Sequence, residues 1–311
     1  MTQIERMINT ASAASDDPSR IERLVAAIDP SRPVLIAGPT ASGKSAMALR
    51  IARAIGGVVV NADALQVWSC WRVLTARPST EDEAAAPHLL YGHIAPGRSY
   101  SVGDWLAEVA ALLDRSRPLV IAGGTGLYLS ALTSGLAVIP PVPAEIRAKG
   151  DAWLARGGLE EMIEALDART RAGLDLRNPA RVQRAWEVLS ATGRGLADWQ
   201  AETPPPLIPA GGAQRFVLQT DRDRLARRIA ARFDTMLQRG ALDEVRQMLP
   251  LWQTGAQWTR AIGAAELKGH LEGHATLAEA TERAVISTRQ YAKSQRIWFR
   301  NRMRNWTIVH V

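Results

Sequence analysis

The stretch GPTASGKS at residues 38–45 limits what this chain can fold into more than any other part of the sequence. It matches G-x-x-x-x-G-K-[ST] at every fixed position, follows the apolar run PVLIA and leads into a helix-type segment. A strand, a glycine-rich turn and a helix N-terminus in this order form a phosphate-binding loop, with backbone N–H groups and a lysine facing the phosphates. We therefore predict that phosphate is bound by Gly38, Pro39, Thr40, Ala41, Ser42, Gly43, Lys44 and Ser45, with the Ser45 hydroxyl as a ligand of Mg²⁺.

Strand-type and helix-type segments alternate around this loop. Short apolar runs predict strands at 33–37, 57–61, 118–122 and, much later, 214–219. Helical patterns fill 44–55 and 101–115 between the first three. This alternation predicts an α/β fold, with a parallel sheet of the P-loop NTPase type covered by helices.

A proline-bounded segment interrupts the α/β pattern. Prolines cluster at 140–143 and again at 204–206, and helical patterns occupy 143–155, 158–168, 178–192 and 195–201 between them. We predict an all-helical insertion at 140–205 within a catalytic core formed by 31–139 and 206–311, whose C-terminal region is helical. Residues 1–30 are predicted to be a variable N-terminal extension with a short helix at 19–28.

Polar residues follow two of the predicted strands. Asp63 comes two residues after the second strand, and Thr125 lies in the turn AGGTG after the third. The carboxyl ends of parallel strands share one edge of a sheet, so both should lie near Lys44 and Ser45. A carboxylate there can act as a general base or help to order a metal. No acid directly follows the third strand, which argues against a motor or switch ATPase but not against a transferase.

The basic charge of the chain is concentrated near its end. The net charge is +7, and residues 281–311 contain one acid, Glu282, against seven basic side chains, with Tyr291, Trp298, Phe299 and Trp306 interleaved. Basic and stacking side chains together favour a polyanion such as RNA, although a solvated helix face explains the pattern equally well. The basic residues are Arg283, Arg289, Lys293, Arg296, Arg300, Arg302 and Arg304.

Composition narrows the class of protein further. No apolar stretch approaches the length of about 18–20 residues that spans a bilayer, so we expect no membrane association. The single cysteine, Cys70, excludes an internal disulfide and suits a reducing cytoplasm.

An ordered series of motifs resembles the bacterial tRNA dimethylallyltransferases, also called tRNA isopentenyltransferases. The similarity covers about residues 33–302. Its motifs are GPTASGKS, NADALQVW (61–68), TARP (75–78), AAPHLLYGHI (85–94), YSVGDW (100–105), VIAGGTGLYLSAL (120–132), PARVQRAWEV (179–188) and STRQYAKSQRIWFR (287–300).

The resemblance implies a reaction. The phosphates would belong to dimethylallyl diphosphate, whose prenyl group passes to N6 of the adenine immediately 3′ of the anticodon, in tRNAs that read codons beginning with U. Asp63 would be the base, while Lys44 and Arg228 would stabilise the departing diphosphate with Mg²⁺. Thr125 would hold the adenine beside Asp63.

The resemblance also implies a partner surface. The helical insertion would grip the anticodon stem-loop of tRNA, and the enzyme would be a cytoplasmic monomer. The residues implied in tRNA binding are Asp63, Ala64, Leu65, Gln66, Thr125, Arg147, Ala180, Arg181, Val182, Gln183 and Arg184.

Some positions depart from the family pattern, and two other functions stay open. The family commonly has serine at Ala64, lysine at Arg77 and tyrosine at Ala264, and its KRQ tract is Lys293-Ser294-Gln295 in this chain. A P-loop kinase for a small metabolite would explain GPTASGKS and Asp63, but neither AGGTG nor the basic C-terminal region. An enzyme that prenylates free adenine nucleotides would not need the arginines of the insertion.

Overall fold

The computed structural model describes residues 18–114 and 116–311, and for 18–20 the backbone alone. Most of the predicted extension at 1–30 therefore lies outside the described residues. The chain divides into two compact units, one that ends at Ala131 and resumes at Ile208–Val311, and a second at Leu132–Leu207. The predicted insertion at 140–205 is therefore too short at both ends.

The first unit is built on a parallel sheet of six strands in the order β3-β2-β4-β1-β5-β6. The α/β prediction is confirmed, but it missed the two edge strands β3 and β6. The strands are β1 (Val34–Ala37), β2 (Val58–Asn61), β3 (His88–Leu89), β4 (Leu119–Gly123), β5 (Gln214–Gln219) and β6 (Thr307–His310).

Helices surround this sheet and continue along the C-terminal region. Two 3₁₀ turns, Leu249–Leu251 and Gln257–Arg260, lie among the later helices. The α-helices that contribute to this unit are α1 (Pro18–Ala26), α2 (Lys44–Ile55), α3 (Thr80–Ala85), α4 (Val102–Leu113), α5 (Gly126–Ser134, which continues into the second unit), α11 (Arg222–Gln238), α12 (Ala241–Met248), α13 (Ala264–Leu271) and α14 (Leu277–Arg302).

Local sequence explains where the helices that position the site begin. Helix α2 starts after Gly43, whose φ of 94° is easy only for glycine. The 26-residue α14 starts with a capping box, in which Thr276 and Glu279 each satisfy the other's backbone N–H group. Within the described part of the chain, no helix combines the length and apolarity needed to cross a membrane.

The core of the first unit lies around the sheet. All four residues of β1 are fully buried, and Ile36 packs with Ile51 of α2 and Phe216 of β5. On α4, the indole N–H of buried Trp105 donates to the carbonyl of Asn61 at 2.7 Å, which secures the carboxyl end of β2.

The second unit has its own hydrophobic core, which includes Met162, Val182 and Val188. The predicted helix at 158–168 is too long, because the helix ends at Glu164 and Asp167 accepts a hydrogen bond from the N–H of Thr170 at the start of a new helix. The helices are α6 (Ala144–Ala155), α7 (Leu159–Glu164), α8 (Ala168–Gly173), α9 (Pro179–Thr192) and α10 (Leu196–Ala201).

Gly123 allows β4 to approach the end of β2. A Cβ atom on Gly123 would lie 1.9 Å from the carbonyl oxygen of Ala62, a backbone atom that cannot rotate away. We expect Gly123→Ala to lower the free energy of unfolding by roughly 3 kcal/mol or more, measured by urea denaturation. The matched control is Gly173→Ala, where a Cβ would meet nothing within 4 Å. Equal unfolding midpoints for the two variants would contradict this account of Gly123.

Candidate active site

Three loops meet at one edge of the sheet because of the strand order. The phosphate loop follows β1, Asp63 follows β2, and Gly124–Thr125 follows β4, the strand between them. The N–H of Ala62 donates to the carbonyl of Ala122 at 2.9 Å, which continues the pairing of β2 with β4 up to the loops. The prediction that strand ends would bring these residues together is confirmed.

The phosphate loop has the backbone of an anion-binding turn. Lys44 is the first residue of α2 and is buried, only 8% exposed. The Ser42 hydroxyl is buried as well, and no described residue forms a hydrogen bond with it. A Cβ on Gly38 would lie 2.6 Å from Ser42 Oγ and 3.2 Å from Leu218 Cβ, so glycine lets the loop pass close to both residues. The backbone N–H groups of such a glycine-rich turn at a helix N-terminus are suited to bind phosphate.

Asp63 is held rigidly with one carboxylate oxygen unused. Its N–H donates to Asn61 Oδ1 at 2.8 Å, and Asn61 Nδ2 donates to its carbonyl at 3.0 Å. Oδ1 accepts the N–H of Leu65 at 3.0 Å. Among the described residues, Oδ2 has no hydrogen-bond donor, so this oxygen is available to accept a proton from a substrate.

Thr125 links the loops to each other. Its Oγ1 accepts the N–H of Ala64 at 2.9 Å, and its own N–H donates to the carbonyl of Ala62 at 3.2 Å. Thr125 therefore orders the chain beside Asp63.

A cavity of about 600 Å³, counting its open mouth, lies against these loops. Its lining combines polar and apolar side chains from the phosphate loop, from the segment after β2 and from helices α11 and α14. The polar residues are Thr40, Asp63, Gln66, Thr75, Arg232, Thr288 and Tyr291. The apolar residues are Ala41, Leu65, Leu74, Ile229, Phe233, Met236 and Ile262.

Lys44, Arg232 and Asp63 affect one another's charge environment. Burial lowers the pKa of Lys44 to about 8; the Asp63 carboxylate opposes this shift, and the Arg232 guanidinium adds to it. Burial also lowers the pKa of Arg232, again against the effect of Asp63. Two cations thus share one carboxylate, and an anionic ligand would restore their balance.

Several cavity residues were not predicted from the sequence. Arg232 lines the cavity, one helical turn after Arg228, for which the proposed catalytic role stays a prediction. On α14, Tyr291 lines the cavity, and Gln295, one turn later, is buried behind it. The spacing of four residues in each pair is the only signal that could have indicated a shared helix face.

The residues implied in tRNA binding within the first unit have differing environments. Leu65 and Gln66 line the cavity. The Gln66 amide is occupied, because its Nε2 donates to the carbonyls of Thr75 and Ala76 at 2.9 Å each. Gln66 therefore supports the cavity wall.

The residues implied in tRNA binding within the second unit differ in exposure and in their partners. Arg147, Ala180 and Arg181 are exposed. Val182 is fully buried in the unit's core, so its assignment as an RNA contact is wrong. Two further residues have partners on the same helix or nearby: Gln183 donates to Asp151 and Glu187, and Arg184 lies 3.7 Å from Glu187.

Ser45 is the predicted metal ligand, and its surroundings fit Mg²⁺ only with help from a substrate. Its hydroxyl is exposed at the first turn of α2 and is an oxygen donor of the kind that Mg²⁺ prefers. The described residues contain no group of three His, Cys, Asp or Glu side chains that could hold a metal. Phosphate oxygens of a ligand would have to complete the coordination.

Comparisons with known proteins agree on one family. The family described as IPP transferase matches residues 66–302, and that described as isopentenyl transferase matches residues 32–98. A tRNA dimethylallyltransferase of Paracoccus denitrificans is 66% identical over 294 residues, covering 93% of this chain and 97% of its own. One of Dinoroseobacter shibae is 62% identical, covering 89% and 94%. The crystal structure of a tRNA isopentenylpyrophosphate transferase from Bacillus halodurans superposes with a TM-score of 0.63 at 29% identity, covering 89% of each chain.

The lowered pKa of Lys44 predicts a pH-dependent affinity for anions. Only the protonated lysine attracts phosphate, so above a pKa of about 8 binding must also take up a proton. Between pH 7 and pH 9, the Kd for inorganic diphosphate should rise roughly tenfold more in the wild type than in Lys44→Arg, since arginine stays charged. Isothermal titration calorimetry measures both constants. Parallel pH profiles for the two proteins would show that Lys44 does not titrate in this range.

Proposed function

The chain belongs to the IPP transferase family, and from this membership we propose that it is a tRNA dimethylallyltransferase that takes its prenyl group from dimethylallyl diphosphate. The acceptor is N6 of the adenine immediately 3′ of the anticodon in tRNAs that read U-initial codons. One observation carries the proposal: Asp63, whose Oδ2 has no hydrogen-bond donor among the described residues, lines a cavity together with Thr40 and Ala41 of the phosphate loop and with apolar side chains.

The phosphate end of the cavity suits the diphosphate of the donor. Backbone N–H groups of the loop, Lys44 and Arg232 supply positive charge where the departing diphosphate gains negative charge. Mg²⁺, held by Ser45 and by oxygens of the donor, would add further charge stabilisation. Arg228 remains a candidate for the same role.

In this proposal Asp63 acts as the base. The exocyclic amine of adenine is a weak nucleophile, since its lone pair is delocalised into the ring. As the bond from N6 to C1 of the prenyl group forms, the bond from C1 to the diphosphate oxygen breaks and the N6 proton passes to Asp63 Oδ2. The diphosphate leaves with the bonding electrons.

The apolar walls suit the prenyl group. Leu74, Ile229, Phe233 and Met236 offer a surface that a five-carbon chain can fill without leaving polar groups unpaired. The same surface excludes water, which would otherwise capture an electrophilic prenyl carbon.

An adenine in an anticodon loop must leave its stack to reach Asp63, as bases do in other enzymes that modify them. Exposed Arg147 and Arg181 of the second unit, together with exposed Arg289, Lys293 and Arg300 on α14, provide positive charge for the RNA backbone. The monomeric state and the cytoplasmic location belong to this proposal as well.

The activity is tested with purified protein, unmodified tRNA and radiolabelled dimethylallyl diphosphate, with and without Mg²⁺. Label on tRNA in the absence of ATP is the expected result. Label on free AMP or ADP alone would instead identify an enzyme that prenylates adenine nucleotides. Dependence on ATP, with a phosphorylated product, would identify a kinase.

Asp63→Asn should lower turnover on the order of 10²- to 10⁴-fold, because the amide has the same shape but cannot take the N6 proton. The Kd for the donor should change less than about threefold. Single-turnover kinetics and titration calorimetry measure the two quantities. Asp234→Asn, on the exposed face of α11, is the matched control. Near-normal turnover of Asp63→Asn would remove Asp63 from the role of base.

Replacing both Arg181 and Arg184 with alanine should weaken tRNA binding and flatten its dependence on salt. If each arginine neutralises one phosphate, the slope of log K against log salt concentration should become less steep by about 1.4. Filter binding over a salt series measures it. Arg246→Ala, an exposed arginine of the first unit, is the control. An unchanged affinity and slope would mean that these arginines do not contact the RNA.

A further inference from the structure

We propose that Gln295 is a positioning residue that sets the separation between the phosphate loop and the turn beside Asp63. The inference rests on the proposed function, because it concerns how the donor and the base are aligned. Gln295 does not line the cavity, and its role comes from the two loops that its side chain joins.

The Gln295 side chain is a two-ended bridge. Its Oε1 accepts the N–H of Thr40 in the phosphate loop at 2.9 Å, and its Nε2 donates to the carbonyl of Gly124 at 2.9 Å. The residue is 5% exposed, so water cannot easily replace either bond. The two ends of one planar amide thus connect the loop after β1 to the loop after β4.

Gly124 connects the position of the Gln295 amide to the position of Asp63. A Cβ on Gly124 would lie 2.3 Å from Gln295 Nε2 and 3.1 Å from Asp63 Oδ2. The face of Gly124 on which a side chain would stand is therefore turned toward both the amide and the carboxylate oxygen that is free to accept a proton. A shift of the amide would move Gly124 relative to that oxygen.

The preceding turn of α14 contacts the same region. Tyr291 lines the cavity together with Thr40 of the phosphate loop and with Asp63. Two residues one helical turn apart thus reach all three loops at the sheet edge. Because a helix is rigid, side chains one turn apart on it keep a fixed spacing.

This bridge should matter more for bond formation than for donor affinity. The diphosphate is held by the phosphate loop itself, whereas reaction requires C1 of the donor and N6 of the adenine to lie in attacking distance beside Asp63. A misplacement of about 1 Å can cost about 10²-fold in rate. Gln295 therefore sets the position of the phosphate loop relative to the turn beside Asp63. Each loop keeps its own phosphate-binding or proton-accepting groups whether or not Gln295 is present.

Two variants separate the two ends of the bridge. Gln295→Glu keeps an acceptor for the Thr40 N–H but loses the donor to Gly124, so turnover should fall 10- to 100-fold while the Kd for inorganic diphosphate changes less than threefold. Gln295→Met has similar length and neither polar end, so turnover should fall at least as far and the Kd should rise more than threefold. Gln290→Ala, exposed on the same helix, is the control and should match the wild type.

Turnover is measured at a temperature well below the melting midpoint and is expressed per folded molecule. Circular dichroism melts give the folded fraction. A purely structural residue would lower the folded fraction without separating turnover from diphosphate binding. Turnover within twofold of the wild type in either folded variant, or a loss confined to diphosphate binding, would overturn the proposal. Absence of prenyl transfer by the wild type would instead refute the proposed function, and the two failures are therefore distinct.

Discussion

The close contact of neighbouring strand ends is the constraint on which the rest of the site depends. Gly123 brings the end of β4 against the backbone of Ala62, and this contact puts the Asp63 loop beside the Gly124–Thr125 turn. The phosphate loop reaches the same place because β1 is the next strand in the sheet. Hydrogen bonds from Asn61, Thr125 and Gln295 then hold loops that the sheet has already made adjacent.

The electrostatics of the site are unbalanced in the free protein. Lys44 and Arg232 both lose hydration where they lie, and the Asp63 carboxylate offsets part of their charge. Keeping two cations near one carboxylate lowers the free energy of unfolding. A bound diphosphate would neutralise the excess positive charge, and this relief would strengthen its binding. The same imbalance leaves the Asp63 carboxylate in a positive environment.

The sequence predicted the parts of the fold that local patterns determine. Helix α2 and strand β5 have the predicted bounds, because a glycine-rich turn and an apolar run mark them clearly. Strands β3 and β6 lie at the sheet edges, where pairing with a neighbour rather than residue pattern decides the structure. Asp63 and Lys44 could be found from their positions after strands, whereas Arg232 and Gln295 could not. Which face of a helix meets the cavity is decided by tertiary packing.

The separate core of residues 132–207 has a consequence for how such a protein can diverge. Its helices bury Met162, Val182 and Val188 against each other, while the cavity is lined entirely by residues of the other unit. Exposed positions of this helical unit can therefore change without disturbing the loops around Asp63. Natural variation can accumulate there while the cavity is inherited unchanged.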